Sequence, residues 1–191
     1  KLRGLILELA VRGKLVPQDP NDETASELLK RIAKERARLE AEGTCKKSKV
    51  TPLVGEDERP FELPDGWEWV LLATIGNIFN GNSINSDEKE AKFRRKDGLP
   101  YIATKDVGYG LTPLDYGNGV RIPETEPNFK MARKGAVFIC AEGGSAGKKC
   151  GFTDRNVFFG NKLFANETFA GIPPRFILYL YLSPLFRQQF S

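Results

Sequence analysis

The stretch Thr24–Gly43, TASELLKRIAKERARLEAEG, decides how the chain is read. Thr24 followed three residues later by Glu27 is a capping box, in which the hydroxyl accepts from the backbone N–H three residues on and the carboxylate reaches back. Leu28, Leu29, Ile32 and Leu39 then form a narrow apolar stripe. The other faces carry Lys30, Arg31, Lys34, Glu35, Arg36, Arg38, Glu40 and Glu42. Gly43 stands where a C-terminal cap belongs. About 18 residues at 1.5 Å each make a rod of roughly 27 Å. So narrow a stripe suits packing on one partner helix, and the rod is expected to project as a coiled-coil-like arm.

Upstream, Leu2, Leu5, Ile6 and Leu9 have the spacing of a second amphipathic helix, which Gly13 ends before the polar turn Gln18–Asp22. Downstream, residues 44–62 hold a run of Lys, a run of acids and prolines with little periodicity, and read as a linker. From about residue 63 the composition turns aromatic and β-branched, punctuated by Gly. Short strands are expected at Trp67–Leu71, Tyr101–Thr104, Ala136–Ala141, Asn156–Phe159 and Lys162–Ala165. Pro173-Pro174 opens a last helix through Phe176, Ile177, Tyr179, Leu180, Leu182 and Phe186, interrupted at Ser183-Pro184. The expected class is α+β: a projecting helical arm over 1–43, a linker over 44–62, and a mixed domain over 63–191.

Composition limits the chemistry. With 191 residues, the chain has room for one domain and an appendage. It contains no histidine, which excludes Ser-His-Asp and Cys-His nucleophile systems and any His-containing metal site. Cys45, Cys140 and Cys150 are odd in number and never spaced C-x-x-C, so a zinc ribbon or disulfide framework is not expected and a reducing, cytoplasmic setting fits. No apolar run approaches the ~18 residues that span a bilayer, and no signal peptide is legible. A first residue of Lys rather than Met leads us to expect a piece of a longer protein.

Net charge is +4, but it is unevenly spread. Residues 1–43 carry nine bases and eight acids. Residues 89–105 carry Lys89, Lys92, Arg94, Arg95, Lys96 and Lys105 against Glu90 and Asp97. Residues 129–162 carry Lys130, Arg133, Lys134, Lys148, Lys149, Arg155 and Lys162 against Glu142 and Asp154. Positive charge in the globular part could neutralise DNA phosphates, or be ordinary solvated surface. Asn80, Asn82, Asn85, Asn118 and Asn161 carry the amide forks that read base edges, although Asn is also a turn residue.

Three other chemistries come into question. Glu142–Lys149, EGGSAGKK, approaches a P-loop but has Glu142 in place of the first Gly and Lys149 in place of the Mg²⁺-binding hydroxyl, so an NTPase is not expected. Its Gly-rich backbone and lysines could still cradle a DNA phosphate, or form a solvated hairpin turn. Asp65 with Glu90 and Lys92 satisfies a loose P-D…E-x-K pattern of Mg²⁺-dependent nucleases, but in a polar stretch that reads as an exposed loop. Ile172-Pro173-Pro174-Arg175 is no amino-methyltransferase motif, lacking the amide and the aromatic. A non-enzymatic scaffold using the Leu28/Ile32/Leu39 stripe remains a further alternative.

The motifs then converge. Leu5–Leu29, with its GKLVPQDPND core, resembles the spacer region of type I restriction–modification specificity subunits. Leu63-Pro64-Asp65-Gly66-Trp67-Glu68-Trp69-Val70, Leu99–Ile102, Lys105-Asp106-Val107, Gly144–Lys148, Asn161 and the Phe176–Phe186 helix continue the resemblance in order. It implies a DNA-reading subunit without catalytic activity, whose target recognition domains each read half of a split site. Spacer helices would set the distance between the halves and dock methyltransferase subunits, which bind S-adenosylmethionine. A nuclease-translocase restriction subunit would complete the enzyme. On this view Arg94, Arg95, Lys96, Lys105, Ser145, Lys148, Lys149, Asn161 and Lys162 are the candidate DNA contacts, and Leu28, Leu29, Ile32 and Leu39 pack on another helix. Family members often carry Asn-Gln where this chain has Asn161-Lys162. Full-length members carry two recognition domains, so a second half or second copy is an expected partner.

Overall fold

The computed structural model describes residues 2–46, 54–94 and 97–190. In chain order the elements are α1 (Leu2–Val11), α2 (Ala25–Ala41), α3 (Leu72–Ile75), β1 (Gly76–Asn80) and α4 (Ser86–Glu88), the last continued by a π turn over Lys89–Phe93. Then follow β2 (Leu99–Ile102), β3 (Arg121–Ile122), β4 (Met131–Ala132), β5 (Val137–Cys140), β6 (Cys150–Phe152), β7 (Val157–Phe159), β8 (Leu163–Thr168), α5 (Pro174–Leu182) and α6 (Pro184–Gln189). The α+β class is as expected. Among the described residues no helix is long and apolar enough to cross a membrane.

Two four-stranded sheets stack. The first has the order β1-β8-β5-β6, all antiparallel; the second, β3-β2-β7-β4, has a parallel β2/β7 pair between antiparallel neighbours. The run VFIC of β5 shows why. Successive side chains of a strand point to opposite faces, so Val137 and Ile139 pack among Ile177, Tyr181 and Ile32 on the helical side. Phe138 and Cys140 pack with Phe159, Val157 and Leu163 between the sheets. All four are buried, as in a strand covered on both faces. Phe158 of β7 points the other way, to an outer cluster with Phe93, Tyr101, Val120 and Ile122.

Helix α2 starts where the sequence places it, through the Thr24 half of the expected capping box. Thr24 is its N-cap and its hydroxyl accepts from Glu27 N–H, while Gly43, at φ 69°, turns the chain out. The stripe, however, lies against the chain's own domain. Ile32 is 2% exposed, and Leu28, Leu29 and Leu39 pack around it on the cluster with Ile177 and Tyr181. Arg31 donates to the Ala170 carbonyl (3.3 Å) and Arg36 to the Ala73 carbonyl (3.2 Å), and the Glu35 carboxylate accepts from Ala170 N–H. The partner that a narrow stripe needs is supplied in cis, so a freely projecting arm is not what these residues form. In α1 the reverse holds: Leu7 packs on the core and Gly4 faces Pro184, leaving Leu2, Leu5 and Ile6 exposed.

Trp67–Leu71, expected as a strand, has no ladder partner. Its aromatic side chains fix it instead: Trp67 donates to Gln18 Oε1 (2.8 Å) and Trp69 donates to the Phe61 carbonyl (3.3 Å) while packing edge-on against the Phe61 ring. The edge strand β1, GNIFN, is hidden in the sequence by its Gly and Asn. At Gly76 a side chain would collide with Asn166 Oδ1 of the neighbouring β8.

Candidate nucleic-acid interface

Strand registers bring the candidate side chains together. In the parallel β2/β7 pair, Ile102 lies opposite Phe159, so both strands finish at the same end, and Gly160 N–H donates to the Ile102 carbonyl (2.9 Å). Strand β5 also finishes there, since Cys140 pairs with Leu163 at the start of β8 and Ala141 N–H donates to the Lys162 carbonyl (2.9 Å). Three loops therefore meet: 103–109 after β2, 141–149 between β5 and β6, and 160–162 between β7 and β8. They are stitched by a Tyr109–Lys149 backbone bridge and by Lys149 Nζ on the Thr104 carbonyl (3.3 Å). Lys105, Lys148, Asn161 and Lys162 are exposed on this cluster.

The 141–149 loop is folded on itself. Gly143 and Gly147 adopt φ of 78° and 66°, conformations that suit glycine. The amides of Ala146, Gly147, Lys148 and Lys149 donate to Gly143, Cys140, Ser145 and Ser145 carbonyls, respectively. Those four donors are spent within the loop, so the backbone amides after Ser145 are not available to cradle a phosphate. What the loop presents are side chains. Lys148 Nζ reaches the Gly144 carbonyl (3.1 Å) at the exposed surface, and Ser145 Oγ lies 3.4 Å from the Tyr109 hydroxyl.

Buried polar groups brace the cluster from beneath. The Asp106 carboxylate accepts from Ala103 N–H (2.8 Å) and from the Asn118 amide, which also donates to the Tyr101 carbonyl. Tyr101 donates to the Asn82 carbonyl (2.9 Å), and burial pushes its phenol up to about 12. Lys130, by sequence one base among many, donates to Asn80 Oδ1 (2.9 Å) and so joins this end of the sheets. Only the registers reveal that.

Arg94 lies one step away. It pairs with Glu90 (3.0 Å) and donates to the Asn118 carbonyl (2.6 Å), so it holds the 118–119 turn under Asp106. Arg95 and Lys96 lie outside the described residues. Of the five asparagines, Asn85 caps α4, Asn80 and Asn82 hold Lys130, and Asn118 braces Asp106. Asn161 alone makes no side-chain hydrogen bond among the described residues. The 129–162 charge cluster divides. Lys130, Lys148, Lys149 and Lys162 stand at the loop end, whereas Arg133, Lys134 and Arg155 stand at the other, where Lys134 N–H donates to Asn156 and Gly135 N–H to the Thr153 carbonyl.

The nuclease triad is not assembled. Glu90 is paired with Arg94 and Lys92 with Glu88 (3.6 Å) in the π-turn region. Asp65 is exposed in a turn whose Gly66 carbonyl accepts from Ala25 N–H at the start of α2. Among the described residues no group of three His, Cys, Asp or Glu could hold a metal. Cys45, Cys140 and Cys150 are free thiols, and burial pushes Cys150 up to about 11, which removes it as a nucleophile near neutral pH.

No family model matches the sequence. The chain is 48% identical over 151 residues to the type I restriction enzyme EcoAI specificity subunit of Escherichia coli, covering 72% of this chain and 25% of that protein. It is 60% identical over 108 residues to the EcoEI specificity subunit of Escherichia coli, covering 56% of this chain and 18% of that protein. The chain thus spans a quarter or less of the length of these curated relatives. Its fold is similar to the HsdS subunit from Thermoanaerobacter tengcongensis, with a TM-score of 0.52 and 24% identity over 87% of this chain and 40% of that one. Over the part of their length that it spans, the chain is a relative of the type I restriction enzyme specificity subunits.

Proposed function

We propose that this chain is a DNA-reading module of a type I restriction–modification specificity subunit, binding one half of a bipartite site and leaving the bond-making to partners. The observation that carries this reading is the convergence of three loops, bearing Lys105, Ser145, Lys148, Asn161 and Lys162, at one end of the paired sheets in a chain 48% identical to such a subunit. Exposed ammonium groups around a polar fork are what a protein uses to hold phosphates while a side chain inspects a base. Arg94 flanks that face, and Lys149 belongs to it; Arg95 and Lys96 are assigned to DNA contact on their charge in the sequence alone. Residues 63–191 act as the reader and 44–62 as a linker.

Residues 1–43 serve as the spacer. With Ile32 committed in cis, the face that α1 leaves open at Leu2, Leu5 and Ile6 suits a helix of the second half of the subunit, or of a second copy. Methyltransferase subunits carrying S-adenosylmethionine, and a restriction subunit, are the further partners in this reading. The Asp65/Glu90/Lys92 nuclease has no geometric support.

The test uses the intact specificity subunit with its methyltransferase. Sequencing methylated positions in cells, with and without this segment, gives the target; duplexes carrying it then measure affinity against salt. Binding should be sequence-dependent, and removing one phosphate-binding side chain should lower the slope of log K against log[salt] by about 0.9. A complex that methylates the same sites without residues 63–191 refutes the reading.

A further inference from the structure

Resting on that reading, we propose that Tyr109 is a base-contacting residue of the loop cluster, meeting the C5 edge of a thymine, and that Lys149 is its positioning residue rather than a phosphate ligand.

Tyr109 is 58% exposed in a loop whose flanks are anchored by the buried Val107 and Leu114. It stands between Gly108 and Gly110, the latter at φ 65°, where the backbone doubles back. Exposure here does not mean freedom. Its carbonyl accepts from Thr112 N–H (3.3 Å) and Thr112 Oγ1 (2.8 Å), and its backbone bridges to Lys149. Its hydroxyl lies 3.4 Å from Ser145 Oγ, and Lys149 Nζ sits 5.3 Å from the ring centroid. A large ring held from behind and left open in front is preorganised: little side-chain entropy remains to be lost on binding.

Lys149 differs from its neighbours. Lys105, Lys148 and Lys162 are exposed, whereas Lys149 is half-buried, with its ammonium donating to the Thr104 carbonyl and facing the Tyr109 ring. To reach a phosphate it would have to give up both interactions. Its charge therefore orients the ring, and phosphate binding falls to the three exposed lysines.

The chemistry of the ring sets its ligand. The hydroxyl lies toward Ser145 Oγ (3.4 Å) and one region of the ring faces the ammonium, so most of the surface left open is the apolar ring. In the major groove the apolar feature that distinguishes base pairs is the thymine methyl group.

The test compares the intact complex with Tyr109→Ala, Tyr109→Phe, Lys149→Met, Lys149→Arg and Lys148→Ala variants. The probes are a 30-base-pair duplex bearing the methylated site, a scrambled duplex, and site duplexes in which each thymine is replaced by deoxyuridine. Tyr109→Ala should lower the ratio of specific to scrambled affinity with the salt slope unchanged, and Tyr109→Phe should retain most of it. One deoxyuridine should weaken the unaltered complex about fourfold, the worth of one buried methyl group, and have no further effect on Tyr109→Ala. Lys149→Met should lower the ratio with the slope unchanged and Lys149→Arg should restore it, whereas Lys148→Ala should reduce the slope by about 0.9. A slope change of that size in Lys149→Met overturns the positioning role. A Tyr109→Ala complex with an unaltered ratio, or a site in which no deoxyuridine matters, overturns the base contact. If the unaltered complex discriminates no duplex at all, it is the proposed function that fails.

Discussion

The ring of Phe190, at the end of α6, lies against the backbone of Gly147 in the β5–β6 loop. A methyl group at Gly147 would overlap Cδ1 and Cγ of that ring, and the glycine itself has φ 66°. The C-terminal helix and the lysine-bearing loop are thus one packed unit. Gly147→Ala should lower stability by about 1–3 kcal/mol, through overpacking and backbone strain together. Urea unfolding measures this. Phe190→Ala in the same chain should return only part of the loss, because the left-handed backbone remains.

The docking of α2 makes a second expectation. Ile32 is buried with Ile177 and Tyr181, so Ile32→Ala should cost about 2–5 kcal/mol in the chain on its own. Leu39→Ala, at a half-buried site nearer the helix end, should cost less. Thermal unfolding without any partner distinguishes this from a free arm, for which the change would stay within about 0.5 kcal/mol.

Helix α2 and its caps were legible because capping chemistry is local, and so were β5 and β7, whose apolar residues are buried on both faces; of β8 only the start was legible, because residues 166–168 carry no apolar signal. Where Ile32 would find its partner was not legible, since a narrow stripe fits a foreign helix and the chain's own α5 equally well. Strand β1 was missed because Gly76 and Asn80 are turn residues by composition, and the strand exists through its pairing with β8. Lys105, Lys148 and Lys162 were legible as charge. Only register separates them from Arg133, Lys134 and Arg155, and only tertiary packing shows that Arg94 and Lys149 are already engaged.

Glu167 supplies a pH dependence. Its carboxylate accepts from Arg133 N–H (2.7 Å), but burial raises its pKa above the ordinary value of 4.5. Between the unfolded and folded pKa the native state holds more protons than the unfolded chain, so this group's contribution falls as pH rises through that interval. Glu167→Gln, which keeps an acceptor for Arg133, should therefore raise the melting temperature at pH 7–8. The gain should shrink on acidification and vanish below about pH 4, where both states of the carboxylate are protonated. Melting curves of the two chains across pH 4–8 check the sign.

Charge position, rather than charge, is the property that the proposed interface depends on. Lys105, Lys148 and Lys162 stand on the loop end of the sheets, and Arg133, Lys134 and Arg155 at the other end, so two triple-alanine variants remove equal charge from opposite places. If the loop end holds DNA, removing its three lysines should flatten the salt slope by about 2.7, from three phosphates at about 0.9 each. The opposite triple should keep the slope and an affinity within about twofold at physiological salt, where the Debye length of about 8 Å screens distant charge. Arg155 also stacks 4.3 Å from the Tyr116 ring centroid and pairs with Asp154, so this variant is to be measured below its own melting transition. Equal losses from both triples would mean that DNA is held by net charge alone, and the loop cluster would lose its claim to be the reader.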